Sequence, residues 1–142
     1  MKKTLKSLLI AAFCSLSLAF AMTSCSSQVE KAVEEVQADL PMDAGNGCFL
    51  TACEIQNDYV DLLMTSDESI MSLDNEYYRQ ALAAVSEELK EEYVNNADVL
   101  KLLKACKQEK MGLRVTMKGT QSGASIVMVD FTPAEIQADN RI

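Results

Sequence analysis

The sequence predicts an α+β fold, with strands and helices grouped in separate stretches of the chain. Three observations lead there. Residues 48–55 and 59–65 are apolar runs separated by the short polar break Gln56-Asn57-Asp58, the pattern of a hairpin. Residues 113–118 and 124–131 repeat that pattern around the turn 119–123. Between the two pairs, Tyr78-Leu82-Val85-Leu89-Tyr93 and Val99-Leu102-Leu103-Cys106 recur at helical spacing. Strands segregated from helices suit an antiparallel sheet with helices on one face. The expected order is β-β-α-α-β-β, two hairpins packed against two helices, preceded by a leader helix and a short helical spacer.

Taken in order, the chain begins with a leader. Lys2, Lys3 and Lys6 precede an apolar run from Leu8 to Met22, and no acidic residue occurs before Glu30. A membrane-spanning helix needs about 20 apolar residues, so this shorter run reads as the core of a signal peptide. Thr23 and Ser24 then lead into Cys25. This arrangement resembles the lipobox of bacterial lipoproteins of the Bacteroidota type, with Met22 where many members have leucine. The resemblance implies cleavage before Cys25, a diacylglycerol on its thiol and an acyl group on the new amine. It divides the chain into a signal peptide over 1–24, a lipid-anchored spacer over 25–39 and one α+β domain over 40–142. Burying each CH₂ is worth about 0.8 kcal/mol, so two or more acyl chains anchor firmly where one does not. Ser26 stands where an inner-membrane retention signal of enteric bacteria has aspartate, so the resemblance points to the outer membrane.

Charge narrows the function classes. The leader carries three of the 13 basic residues and none of the 21 acidic ones, so residues 25–142 have a formal charge of −11. A nucleic-acid-binding domain is expected to be basic, and electrostatic adhesion to anionic headgroups is equally disfavoured. The remaining length suits one core.

Ser27 and Glu30 have the spacing of a capping box, and Val29, Val33, Val36 and Leu40 form one stripe, so 26–39 reads as a helix or a flexible tether ended by Pro41. Asp43-Ala44-Gly45-Asn46-Gly47 is turn chemistry. The first hairpin follows. Asp74 or Ser72 is the expected cap of the first domain helix, and Asn95-Asn96 its end. Asp98 is the expected cap of the second, with Gly112 as its C-terminal glycine. Leu113, Val115 and Met117 alternate with Arg114, Thr116 and Lys118 in a half-buried strand. Thr132-Pro133-Ala134-Glu135 starts a short helix with a capping box and proline at the first position. The combination of Pro41, Asp67-Glu68, the helix pair, Gly112-Leu113, Gly119, Ser122-Gly123 and this last motif resembles small exported Bacteroidota proteins without an assigned activity. That resemblance implies a compact domain and supplies no catalytic residues.

Candidate chemistry is sparse. Histidine is absent, which removes His-dependent triads and His metal sites. No glycine-rich phosphate loop occurs. Cys48, Cys53 and Cys106 remain beyond Cys25 in a disulfide-permissive compartment. Cys48 and Cys53 point to opposite faces of an unbroken strand, so a bridge would join Cys106 to Cys48 or Cys53. The alternative is three buried thiols. Asp58, Asp61, Asp67, Glu68 and Asp74 offer a calcium site or, more simply, a solvated face. Lys101, Lys104, Lys107 and Lys110 offer a docking stripe for an acidic partner or a solvated helix end. Tyr77 and Tyr78 are possible ligand contacts. The expectation is therefore a non-enzymatic, cofactor-free, lipid-anchored envelope protein that binds another envelope component. A small-ligand or inhibitor lipoprotein is the alternative, and a carboxylate-dependent hydrolase ranks last.

Overall fold

The computed structural model describes residues 27–45, 47–69 and 72–142; the leader and Cys25 lie outside them. The chain runs α1 (Gln28–Ala38), β1 (Met42–Gly45), β2 (Cys48–Gln56), β3 (Tyr59–Ser66), α2 (Glu76–Ala84), α3 (Ser86–Asn95), α4 (Ala97–Gln108), β4 (Gly112–Gly119), β5 (Ser125–Phe131) and α5 (Pro133–Ala138). The fold is α+β, as the segregation of strands from helices predicts. The sheet has five strands in the order β1-β2-β3-β4-β5.

Both hairpins form, but they join in parallel. Tyr59 pairs with Gly112 and Ser66 with Gly119, whereas every other neighbour in the sheet is antiparallel. The expectation of an all-antiparallel sheet is thus corrected, and the number of helical legs is the reason. Two antiparallel helices would return the chain to the end of the sheet it left. The turn at Val85 (φ −95°, ψ −1°) divides the expected first helix into α2 and α3, and the third leg delivers β4 beside the start of β3. The break is hidden in the sequence because the apolar stripe crosses it: Leu82, Val85, Leu89 and Tyr93 are all fully buried.

Local signals explain the ends of the helices. The Ser27 hydroxyl accepts from the Glu30 N–H and the Glu30 carboxylate accepts from the Ser27 N–H, both at 3.1 Å. Thr132 and Glu135 repeat this box, with Pro133 in the first turn. The other caps differ from expectation. Asn75, in extended backbone, caps α2 through the Tyr78 N–H, and Asn96 caps α4 through the Asp98 and Val99 N–H groups. Lys110 takes the left-handed position after α4 (φ 56°). Its N–H donates to the Lys107 carbonyl and that of Met111 to Cys106, the two bonds of a Schellman ending. Gly112 instead lies under the Tyr59 ring and against the Phe131 carbonyl, where a methyl group would not fit.

Two segments have more structure than their sequence signals. Met42 and Ala44 are buried on β1, which pairs with β2 where turn chemistry was expected. The stripe of α1 is fully part of the core: Val29, Ala32 and Val36 have no exposed surface, Val33 is 5% exposed, and the helix packs on β2 and α4. α1 is thus part of the folded core, where the sequence predicts a spacer over 25–39 and the domain from residue 40. The helices cover one face of the sheet, filled by Val60, Leu62 and Met64 of β3 and Leu113, Val115 and Met117 of β4. The other face carries half-exposed residues such as Asp61, Leu63, Arg114 and Thr116. Arg79 reaches from α2 to donate to the Ser125 carbonyl at 3.1 Å, occupying the start of the edge strand β5. Among the described residues no helix is long and apolar enough to cross a membrane.

Candidate functional site

The five acids that cluster in sequence are not brought together. Asp58 sits in the β2–β3 turn, and Asp61 lies on the open sheet face, paired with Arg114. Asp67 and Asp74 are exposed. Among the described residues no group of His, Cys, Asp and Glu could hold a metal ion.

Glu68 departs from the solvated-face expectation altogether. It is 6% exposed in the connection from β3 to α2. One oxygen accepts from the Gln121 N–H (2.8 Å) and the Ser122 N–H (2.6 Å). The other accepts from the Ser122 hydroxyl (2.7 Å), the Leu73 N–H (2.7 Å) and the Ser72 hydroxyl (2.8 Å). The carboxylate thereby ties the β3–α2 connection to the β4–β5 turn. Donation from the Ser122 N–H outweighs the opposing effect of burial, and with the other donors it holds the carboxyl at about 2, against an ordinary 4.5. A Cβ at Gly119 would overlap the carboxyl group, so glycine is what permits this approach. The ionised group has no proton to give at neutral pH and its oxygens are engaged. It is a structural tie.

The three thiols are free and buried. A bridge from Cys106 to Cys48 or Cys53 is not formed. The register of β2 shifts between Leu50 and Ala52, and this bulge turns both Cys48 and Cys53 toward the core, where an unbroken strand would separate them. Burial pushes the Cys53 thiol up to about 12, reinforced by the neighbouring Cys106. Burial, then the charge of Glu109, does the same to Cys106. Cys48 is also raised by burial, against its hydrogen bond to Ser66. Thiols held protonated and out of solvent are poor nucleophiles. Titration with an aromatic disulfide reagent at pH 8 should find Cys48, Cys53 and Cys106 almost unreactive in the folded protein and all three reactive after denaturation; only one of them reacting would reveal a bridge.

The lysine stripe is broken. Lys101 and Lys104 face solvent, while Lys107 turns to donate to the carbonyls of Asp139 (2.8 Å) and Ile142 (2.9 Å). The four side chains cannot share one face, because a period of three drifts around a 3.6-residue helix. Tyr77 is 80% exposed and Tyr78 half-buried, so the pair does not form one contact surface.

Two surface concavities stand out among the described residues. An open groove of about 570 Å³ lies between α3 and the α5 end of the chain, with Val94 and Phe131 among its lining residues. Lys90 lies 5.5 Å from the centre of the Phe131 ring and pairs with Glu135 at 3.2 Å; Arg141 pairs with Glu91 at 2.7 Å and Asp139 at 2.8 Å. Donation from the Thr132 N–H lowers the Glu135 pKa, and Arg141 lowers those of Glu91 and Asp139. A general acid for glycoside cleavage needs a raised carboxyl pKa. These shifts run the opposite way. A smaller depression of about 370 Å³ lies on the open sheet face. Arg114 grips Asp61 there through two N–H groups (2.8 and 3.3 Å) and stacks 4.5 Å from the centre of the Tyr59 ring. Val127 (47% exposed) and Phe49 (38%) add apolar surface to the same face. Paired charges beside exposed apolar groups can bind a partner by shape and complementarity.

Known structures share this architecture. A Pseudomonas aeruginosa protein classed as secreted superimposes with a TM-score of 0.57 at 12% identity, over 76% of this chain and 88% of its own. The pilotin of the Vibrio vulnificus type 2 secretion system superimposes with a TM-score of 0.50 at 14% identity, over 78% of this chain and 90% of its own. The likeness is one of fold. No family model matches the chain, and no curated protein sequence does.

Proposed function

We propose that the mature protein is held in the cell envelope, at the outer membrane, by acyl chains on Cys25, and that its α+β domain binds another envelope component without catalysis. The observation that carries this reading is the leader itself: three lysines, a short apolar run and Thr23-Ser24-Cys25, two residues before Ser27, which caps the first helix of the core. The rest is consistent with it. Burial pushes the Cys53 and Cys106 thiols up, away from a reactive thiolate, and their partners push Glu91 and Glu135 down, away from the range of a general acid. The sheet–helix interface, where a small-ligand pocket was the alternative, is filled by one contiguous cluster that includes Leu62, Met64, Leu103 and Val115. A fold shared with a secretion-system pilotin shows that this architecture serves at least one protein of an export apparatus.

One experiment addresses both parts. Cells expressing the wild type or Cys25→Ala are grown with radiolabelled palmitate, crosslinked intact and used for pull-down. The wild type should carry label and recover a protein partner. Label persisting on Cys25→Ala would overturn the anchor, and recovery of lipid alone would overturn the binding role.

A further inference from the structure

We infer that one particular end of the domain rests on the bilayer: the end formed by Ser27, the Lys107–Met111 exit of α4 and the Asn57–Asp58 turn. The inference rests on the reading of Cys25 as the acylated residue and adds the surface that meets the lipid. Two peptide steps separate Cys25 from Ser27, a reach of at most about 7 Å. Ser27 is no loose tail, because it caps α1, and α1 belongs to the core. The start of α1 is fastened to the end of α4 by the Val29 N–H, which donates to the Glu109 carboxylate at 3.0 Å. The exit of α4 is fastened in turn to the β2–β3 turn by the Gly112 N–H, which donates to the Asp58 carbonyl at 2.7 Å. These segments therefore move as one rigid end.

Two properties of that end suit a lipid surface. Ile55, next to the turn on β2, is 40% exposed although it is a large aliphatic side chain. Basic groups also stand there: Lys31 and Lys110 lie among Glu30, Asp58 and Glu109, while Lys107 is held by the Asp139 and Ile142 carbonyls. An anionic bilayer repels the acidic remainder, which disfavours lying flat along it. The opposite end, with the Glu68 tie and the β4–β5 turn, stands a strand length away. Seven steps along β3 span roughly 23 Å, about three times the reach of the tether.

The test uses the full acylated protein, reconstituted into vesicles of phosphatidylethanolamine and phosphatidylglycerol that contain a headgroup-nitroxide lipid. A fluorophore is placed on Lys110→Cys or Asp58→Cys at the anchored end, and on Gln121→Cys at the far end. The three native thiols are buried and do not compete for label. Quenching should be several-fold stronger at 110 and 58 than at 121. Equal or reversed quenching in protein that floats with the vesicles would overturn the orientation alone. Failure of the intact chain to float would overturn the anchor and the orientation with it.

Discussion

Replacing Glu68 by alanine should lower the midpoint of thermal unfolding by roughly 10 °C or more, a large effect for an acid in a surface connection. The substitution strands the N–H groups of Leu73, Gln121 and Ser122 in a pocket with no acceptor. It also releases the β4–β5 turn from the β3–α2 connection. Glu68→Gln should fare little better, because its amide NH₂ would face N–H and O–H donors where a carboxylate oxygen accepted from them. Gly119→Ala should mimic the loss by displacing the carboxyl group. The double variant Glu68→Ala/Gly119→Ala should be no worse than Glu68→Ala alone, a non-additivity that full additivity would refute. Acid provides a second reading of the same contact. The carboxyl pKa is about 2 in the fold and near 4.5 in the unfolded chain, so its contribution is complete above pH 4.5 and is lost as the pH falls through 2. The gap in melting temperature between the wild type and Glu68→Gln should therefore narrow from pH 5 to pH 2. A constant gap would show that the ionised form is not what stabilises.

Excising residues 26–39, so that Cys25 joins Leu40, should abolish the cooperative unfolding transition. A spacer could be removed at no cost to the fold. Here Val29, Val33 and Val36 are buried between β2 and α4. Each buried valine is worth about 1.5–3 kcal/mol, so the three approach the whole stability of a typical domain, about 5–15 kcal/mol. The excision also exposes the core face of β2. Circular dichroism and a melting curve decide the matter: a wild-type melting temperature in the shortened protein would return α1 to the status of a tether.

What the sequence made legible was local. The capping boxes at Ser27–Glu30 and Thr132–Glu135 are set by residues three apart, and both form as read. The alternation of Leu113, Val115 and Met117 places a strand correctly, because period two needs no distant partner. The missing parts depend on distance or on defects in regular patterns. Val85 breaks a helix without breaking its apolar stripe, so the third leg, and with it the direction of β4, left no mark. A bulge near Thr51 reverses which way Cys53 points, and no residue type announces it. Glu68 reads as solvated because acids are seldom buried. Its turn donors lie more than fifty residues further on, and Gly119 and Ser122-Gly123, read as turn residues, are the only trace they left.

The parallel pairing of β3 with β4 also sets the order in which the protein can assemble. The β2–β3 and β4–β5 hairpins close over a few residues and can form on their own. Their junction pairs residues 53 positions apart and must await the whole run of α2, α3 and α4. Closing so long a loop is the slow, high-contact-order step. Until it occurs, the edges of β3 and β4, destined for the centre of the sheet, stand open. The interval before helix docking is thus when this chain is most exposed to pairing with its own copies, and the native fold conceals the strands responsible.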